Sequence, residues 1–274
     1  MNSPARSATV QISTNFLRKL YLQRSLIWNF VVRDLKVRYV GSFMGFLWSI
    51  IHPLILLISY TFVFSIVFEI RPHSAVTDNF AVFLFCGILP WLYFQDTMLR
   101  SCTAVIENAN LIRKTLFPSE ILPVSIVLSN LVFHLIGVGV LMIVLVVLGL
   151  LPWTVVFLPA YLLPLMVLAL GLGWLAASLQ VFLRDTSQIL TVALVFWFWF
   201  TPIFYTVDRV PAGLRPLMRL NPLSLVVEGY RDCLLEGVLP SLTLLGWLWL
   251  MAVAAFLFGG FVFRNTKREF VDVL

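Results

Sequence analysis

Apolar residues run along this chain in blocks too long for a water-soluble core. Six stretches stand out: 43–68, 80–106, 121–151, 153–183, 187–205 and 239–263. Each exceeds or approaches the ~20 residues a helix needs to cross ~30 Å of hydrocarbon. In lipid, backbone polar groups must find partners inside the chain, so these blocks are predicted to be helices. His52-Pro53 predicts a kink in the first block, and Pro90 an interruption of the second, with Asp96 and Arg100 toward its end. Only Pro152 separates the third block from the fourth, which predicts a tight helical hairpin.

Two segments follow other rules. Over 15–38, Phe16, Leu20, Ile27, Val31 and Leu35 recur at helical spacing, with Arg18, Ser25, Asn29, Arg33 and Lys36 on another face. That pattern predicts an amphipathic helix lying in the membrane interface. Gly41 and Ser42 mark its turn into the membrane. Residues 207–238 are punctuated by Pro211, Gly213, Pro216 and Pro222, and are too short to cross twice. Two short helices, 214–220 and 223–235, are expected to dip back from the outer face. The fold class expected is therefore an all-α integral membrane protein. It has a cytoplasmic N-terminus (1–42) with an interface helix, then a six-span domain (43–274) with two re-entrant outer helices between spans five and six.

Composition sharpens the picture: 61% of residues are hydrophobic and 12% charged, with mean hydropathy +0.98. The chain carries a net charge of +6, and residues 1–42 hold seven basic residues against one acid, Asp34. With the N-terminus inside and six crossings, fourteen Lys and Arg fall on inner segments and five on outer ones. This is a positive-inside bias that places both termini in the cytoplasm. So apolar a chain has little soluble surface for nucleic acid. No cleavable signal is expected, because the first apolar run is too long for a signal core.

Catalytic chemistry finds little footing. There is no GxxxxGK[ST] phosphate loop and no HExxH. Cys86, Cys102 and Cys233 form no CxxC pair, and His52, His73 and His134 are scattered, so neither zinc nor a disulfide framework is expected. Asn130 and His134, one turn apart in span three, fit either a proton relay or pairing with a neighbouring helix. The inner loop 107–120 combines a short helix, a proline stop at Pro118 and a charged restart. It is either a capped helix end or a rigid knob that docks on another protein. In the second case Leu111, Leu116 and Phe117 would be its apolar anchors and Arg113, Lys114 and Glu120 its polar rim.

Three stretches carry a resemblance: VRDLKVRYVGSFMGFLWSIIHPL at 32–54, GILPWLYFQDTMLRSCTAVIENANLIRKTLFPSEILP at 87–123, and LNPLSLVVEGYRDCLL at 220–235. In order and spacing the chain resembles the membrane permease subunits of polysaccharide-exporting ABC transporters, which handle O-antigen, capsule and teichoic acid. The resemblance implies a homodimer bound to two copies of a cytoplasmic ATPase that holds ATP and magnesium. No cofactor is expected in this chain, and no catalytic or metal-binding residue. The 107–120 loop resembles the helix seated on the ATPase, which assigns Asn110, Leu111, Arg113, Lys114, Leu116, Phe117 and Glu120 to that contact. The 15–38 helix resembles the one framing the cytoplasmic entrance, where Arg33, Lys36 and Arg38 would meet a lipid diphosphate head group. The 207–238 segment resembles the outer gate, represented by Asn221, Glu228, Tyr230 and Arg231.

Spans one and five are similar to those lining the pathway. Their aromatic residues Trp48, Tyr60, Phe64, Trp197, Phe200 and Tyr205 suit a sliding glycan, since sugar C–H faces stack on rings. They equally suit a lipid-interface belt, and a helix turning ~100° per residue cannot aim all of the 196–200 run one way. Trp197 and Phe200 are the favoured pair. The expected function is ATP-driven export of a lipid-linked polysaccharide, most consistent with O-antigen, across the cytoplasmic membrane. Rivals are export of a drug or lipid by the same machinery, an ion-coupled carrier, and a membrane enzyme acting on lipid-linked sugars. The enzyme would have to use the outer acids Asp208, Glu228, Asp232 and Glu236.

Overall fold

The computed structural model describes residues 22–38, 44–68, 80–114 and 117–274. Every regular element there is helical. Helix α1 (Arg24–Val37) is followed by α2 (Trp48–Tyr60), α3 (Phe80–Glu107) and the short α4 (Ala109–Lys114). Then come α5 (Ile121–Val147), α6 (Leu158–Phe182) and α7 (Thr186–Phe200). The short α8 (Arg215–Leu220) and α9 (Pro222–Arg231) precede α10 (Leu242–Thr266) and a final turn, α11 (Phe270–Val273). Four helices are long and apolar enough to cross a membrane: α3, α5, α6 with its leading turn, and α10. Trp48–Phe64 and Thr186–Phe200 are shorter apolar helices. The chain is a multi-pass, all-α membrane protein.

Helix α3 is the axis of the bundle. It is buried along almost its whole length, packed between α5, α6, α7 and α9. Pro90 does not interrupt it: α3 runs unbroken through that residue, as helix α2 does through Pro53. In a membrane bundle the neighbours hold a proline-containing helix straight enough to continue. After Tyr60 the α-helical turn widens: Thr61–Val67 winds as a π-helix and the Thr61 hydroxyl donates to the Leu57 carbonyl at 2.6 Å. Such wide turns re-aim a helix without a proline.

The α5–α6 hairpin forms as its spacing predicts. Gly149, at φ +69, ends α5 by letting Leu150 N–H reach back to the Leu145 carbonyl at 2.9 Å. Pro152 then starts a 3₁₀ turn, Trp153–Phe157, that feeds α6. Helix α10 lies against α6 at backbone contact. A side chain on Gly259 would strike the Gly171 carbonyl, and one on Gly171 the backbone of Ala255 and Phe256. Small residues four apart on one helix, here Ala255 and Gly259, let backbones meet in lipid.

Candidate functional site

The end of the bundle that carries α1 is organised by charge. Helix α1 buries Ile27 and Val31 against Ile121 of α5, as its apolar stripe predicts. The predicted stripe residues Phe16 and Leu20 lie outside the described residues. On its other flank Asp34 forms a two-pronged ion pair with Arg100 of α3, Nη1 to Oδ2 being 2.9 Å and Nη2 to Oδ1 closer. Arg38 donates to Asp96 at 3.1 Å and to the Asn130 side chain, and its guanidinium lies 4.3 Å over the Phe133 ring. Arg100 also reaches Asn130 at 3.2 Å, and Asn130 donates to Thr97 at 3.0 Å. Burial by itself would raise the Asp34 pKa. Hydrogen bonds from Arg100 and Ser129 and the charges of Arg100 and Arg38 outweigh it, holding the carboxyl below its usual value.

This network changes the reading of the three basic residues assigned to a lipid head group. Arg33 and Lys36 are exposed. Arg33 lies over Phe30 at 4.1 Å and donates to Asn108 at 2.9 Å. Arg38 is spent inside the protein, its charge matched by Asp34 and Asp96. The pair Asp34–Arg100 escaped the sequence reading. The signals were there: Asp34 is the one acid in a basic segment, and Arg100 one of few charges within a span.

Beside this network lies a cleft of about 660 Å³ between α2, α3 and α5. Trp48, His52, Tyr93, Asp96, Asn130 and Phe133 are among its walls. His134 borders it too, with Nε2 at 2.8 Å from the Tyr230 hydroxyl. That bond ties span three to α9, which is the helix-pairing alternative for His134.

The predicted docking loop splits into two halves. Helix α4 is a short helix at the C-terminal end of α3, with Asn110 and Arg113 exposed and Leu111 partly so. Lys114 is its last residue, and Leu116 lies outside the described residues. The other half turns inward. Phe117 packs on Phe30 at 5.3 Å, and Glu120 is 4% exposed and bonded to Lys267 at 2.9 Å. Glu120 therefore belongs to no polar rim: a buried carboxylate needs a cation, and α10 supplies it.

Span five ends early. Helix α7 has 15 residues, a rise of ~22 Å, short of the hydrocarbon thickness. Past Phe200 the chain loses helical form, and its carbonyls need donors. Arg231 supplies them. Its Nη1 donates to Pro202 at 2.7 Å and Tyr205 at 3.3 Å, and its Nη2 to Ile203 at 2.6 Å. The guanidinium sits 3.7 Å over Phe83. Asn221, which caps α9 by accepting from Leu223 N–H at 3.0 Å, also donates to the Phe200 carbonyl at 3.3 Å and accepts from Trp197 Nε1 at 2.9 Å. The short pair α8–α9 thus splints the broken end of α7. Tyr230 and Arg231 are buried, while Glu228 is half-buried at a cleft with Asp208, Arg219, Asp232 and Glu236.

The aromatic residues divide likewise. Trp197 faces inward against Phe94, at 5.2 Å, so the favoured pairing of Trp197 with Phe200 does not share one surface. The rings that α7 leaves exposed are Phe196, Trp199 and Phe200. Tyr60 and Phe64 pack on Phe204 at 6.3 and 5.4 Å, closing span one onto the end of span five. Tyr205 donates its hydroxyl to the Trp199 carbonyl at 3.1 Å, and Trp48 is 45% exposed.

Comparison with known proteins agrees with this architecture. Residues 25–235 match the membrane family described as ABC-2 type transporter. The chain is 30% identical over 259 residues to an O-antigen export system permease protein, RfbA, of Myxococcus xanthus, covering 93% of this chain and 98% of the relative. It is 29% identical over 247 residues to RfbA of Klebsiella pneumoniae, covering 88% and 92%. It is 22% identical over 252 residues to the polysialic acid transport protein KpsM of Escherichia coli, covering 87% and 92%. A helical membrane bundle matched over more than half its length by one family identifies the chain as a permease subunit of the ABC-2 type transporters.

Proposed function

We propose that this permease forms the membrane path of an ATP-driven exporter that carries a lipid-linked polysaccharide, of O-antigen type, across the cytoplasmic membrane. Two copies assemble with two copies of a cytoplasmic ATPase, which binds the nucleotide and its magnesium. Both termini and α4 face the cytoplasm. The observation that carries the motor half of this reading is α4: a short helix on the inner end of the most buried span, offering Asn110 and Arg113 outward. A single residue, Asn108, links it to α3, the axis of the bundle. The cargo half is supported by end-to-end similarity to O-antigen permeases, whose 30% identity exceeds the 22% of the capsule-type relative.

In this reading the exposed rings Phe196, Trp199 and Phe200 face the second copy and the glycan between them. In the same reading the exposed Arg33 and Lys36 draw a diphosphate toward α1, whereas Arg38 is held by Asp34 and Asp96. The test is export by vesicles holding the permease and its ATPase, supplied with lipid-linked glycan. ATP-dependent appearance of glycan on the far side is expected, together with crosslinking of an Arg113→Cys variant to the ATPase. Transport of a drug or free lipid with no glycan movement would overturn the cargo. Transport that ignores ATP would overturn the motor.

A further inference from the structure

The underside of the bundle holds one contact that neither the cargo path nor the ATPase contact uses. Past α10 the chain does not leave the protein. Lys267 closes on Glu120, Nζ to Oε1 being 2.9 Å. Glu120 has no other side-chain partner among the described residues, and its second carboxylate oxygen is buried without one. Its carbonyl accepts from Trp174 Nε1 of α6 at 3.1 Å. Three residues on, Phe270 is fully buried. Its ring meets Phe263 of α10 at 5.4 Å and Phe182 of α6 at 6.2 Å. The same apolar cluster includes Ile112, the buried residue of α4. The final turn α11 touches α4 and α6 together.

We infer that the segment 267–270 is a clamp that locks the α4 loop to the α6–α10 pair, with Lys267 and Phe270 as positioning residues for transport. Phe270 backs α4 from inside while Lys267 holds the restart of the loop at Glu120. A displacement of α4 must therefore move the α6–α10 pair, which cannot slide within itself because its backbones touch at Gly171 and Gly259. Without the clamp, the loop would yield locally and the stroke would be lost before reaching the spans. The ion pair is mostly buried, so its loss leaves Glu120 uncompensated rather than merely unpaired. This inference rests on the exporter reading above.

The experiment uses the assembled transporter in vesicles and measures glycan exported per ATP hydrolysed. Lys267→Gln and Glu120→Gln are each expected to keep hydrolysis within about twofold and to lower export per ATP at least about fivefold, the lower end of a coupling interaction. The charge swap Glu120→Lys with Lys267→Glu is expected to restore it, which a simple packing role would not do. Unchanged export per ATP in both single variants overturns the clamp. Phe270→Leu, a mild change, supplies a second reading by hydrogen exchange of the 109–120 amides in the full complex. Faster exchange there supports the clamp, and unchanged exchange overturns it. Absence of ATP-dependent export in the parent protein sinks the exporter reading instead, and leaves the exchange measurement able to judge the clamp.

Discussion

The contact between α6 and α10 makes opposite predictions for two glycines on the same helix. Gly259 lies where its missing Cβ would meet the Gly171 carbonyl, whereas Gly246 has nothing within 4 Å of that position. In Gly259→Ala the new methyl meets backbone, which cannot rotate aside. The two helices must separate, and their shared contact opens along its length. Overpacking of this kind costs about 1–3 kcal/mol. In Gly246→Ala the methyl meets no protein atom, and the change removes the helix penalty of glycine, worth up to about 1 kcal/mol. The assay is thermal unfolding of the purified protein in detergent, with tryptophan fluorescence as readout. At roughly 2–4 °C per kcal/mol for a chain of this size, Gly259→Ala should melt about 2–12 °C below the parent. Gly246→Ala should melt at or slightly above it. Equal melting of the two variants would refute the claim that backbone contact holds α10 to α6.

Three further outcomes follow from the charged and polar contacts. Because the native Asp34 carboxyl is held below its ordinary value of about 3.9, its contribution is complete above that pH and disappears as pH falls through the lowered value. The stability advantage of the parent over Asp34→Asn should therefore hold from pH 8 to 5 and shrink below about pH 4. Arg231→Lys replaces a fork that reaches three carbonyls with a single ammonium. At about 1.5–3 kcal/mol for each charged hydrogen bond lost, at least one lost bond should appear as a lower melting temperature and faster proteolysis after Phe200. An Arg231→Lys protein as stable as the parent would remove the splint. Finally, a cysteine at Ser241 should react with an impermeant thiol reagent from outside intact cells and one at Asn110 should not, and the reverse pattern would invert the topology.

Much was legible in the sequence because lipid imposes one rule on every backbone group. Runs of apolar residues had to be helices, so the cores of all six blocks, the α5–α6 hairpin at Pro152 and the paired short helices after Pro211 could be placed from periodicity and punctuation. The stripe Ile27, Val31, Leu35 identified the buried side of α1 for the same reason. Those features depend on neighbours in the chain.

What depended on distant neighbours stayed hidden. Pro90 reads as a breaker, yet α3 passes through it because four helices press on it from all sides. Trp197 and Glu120 read as surface groups. One turns inward because Asn221, 24 residues away, accepts its N–H, and the other because Lys267, 147 residues away, supplies its counter-charge. Asp34 and Arg100 were both visible as isolated charges, but only folding brings them together across 66 residues. Local pattern thus determined which segments are helices. Only tertiary packing decided where each buried charge finds its partner, because the cost of burying a charge is met by whichever group the fold places beside it, at any separation along the chain.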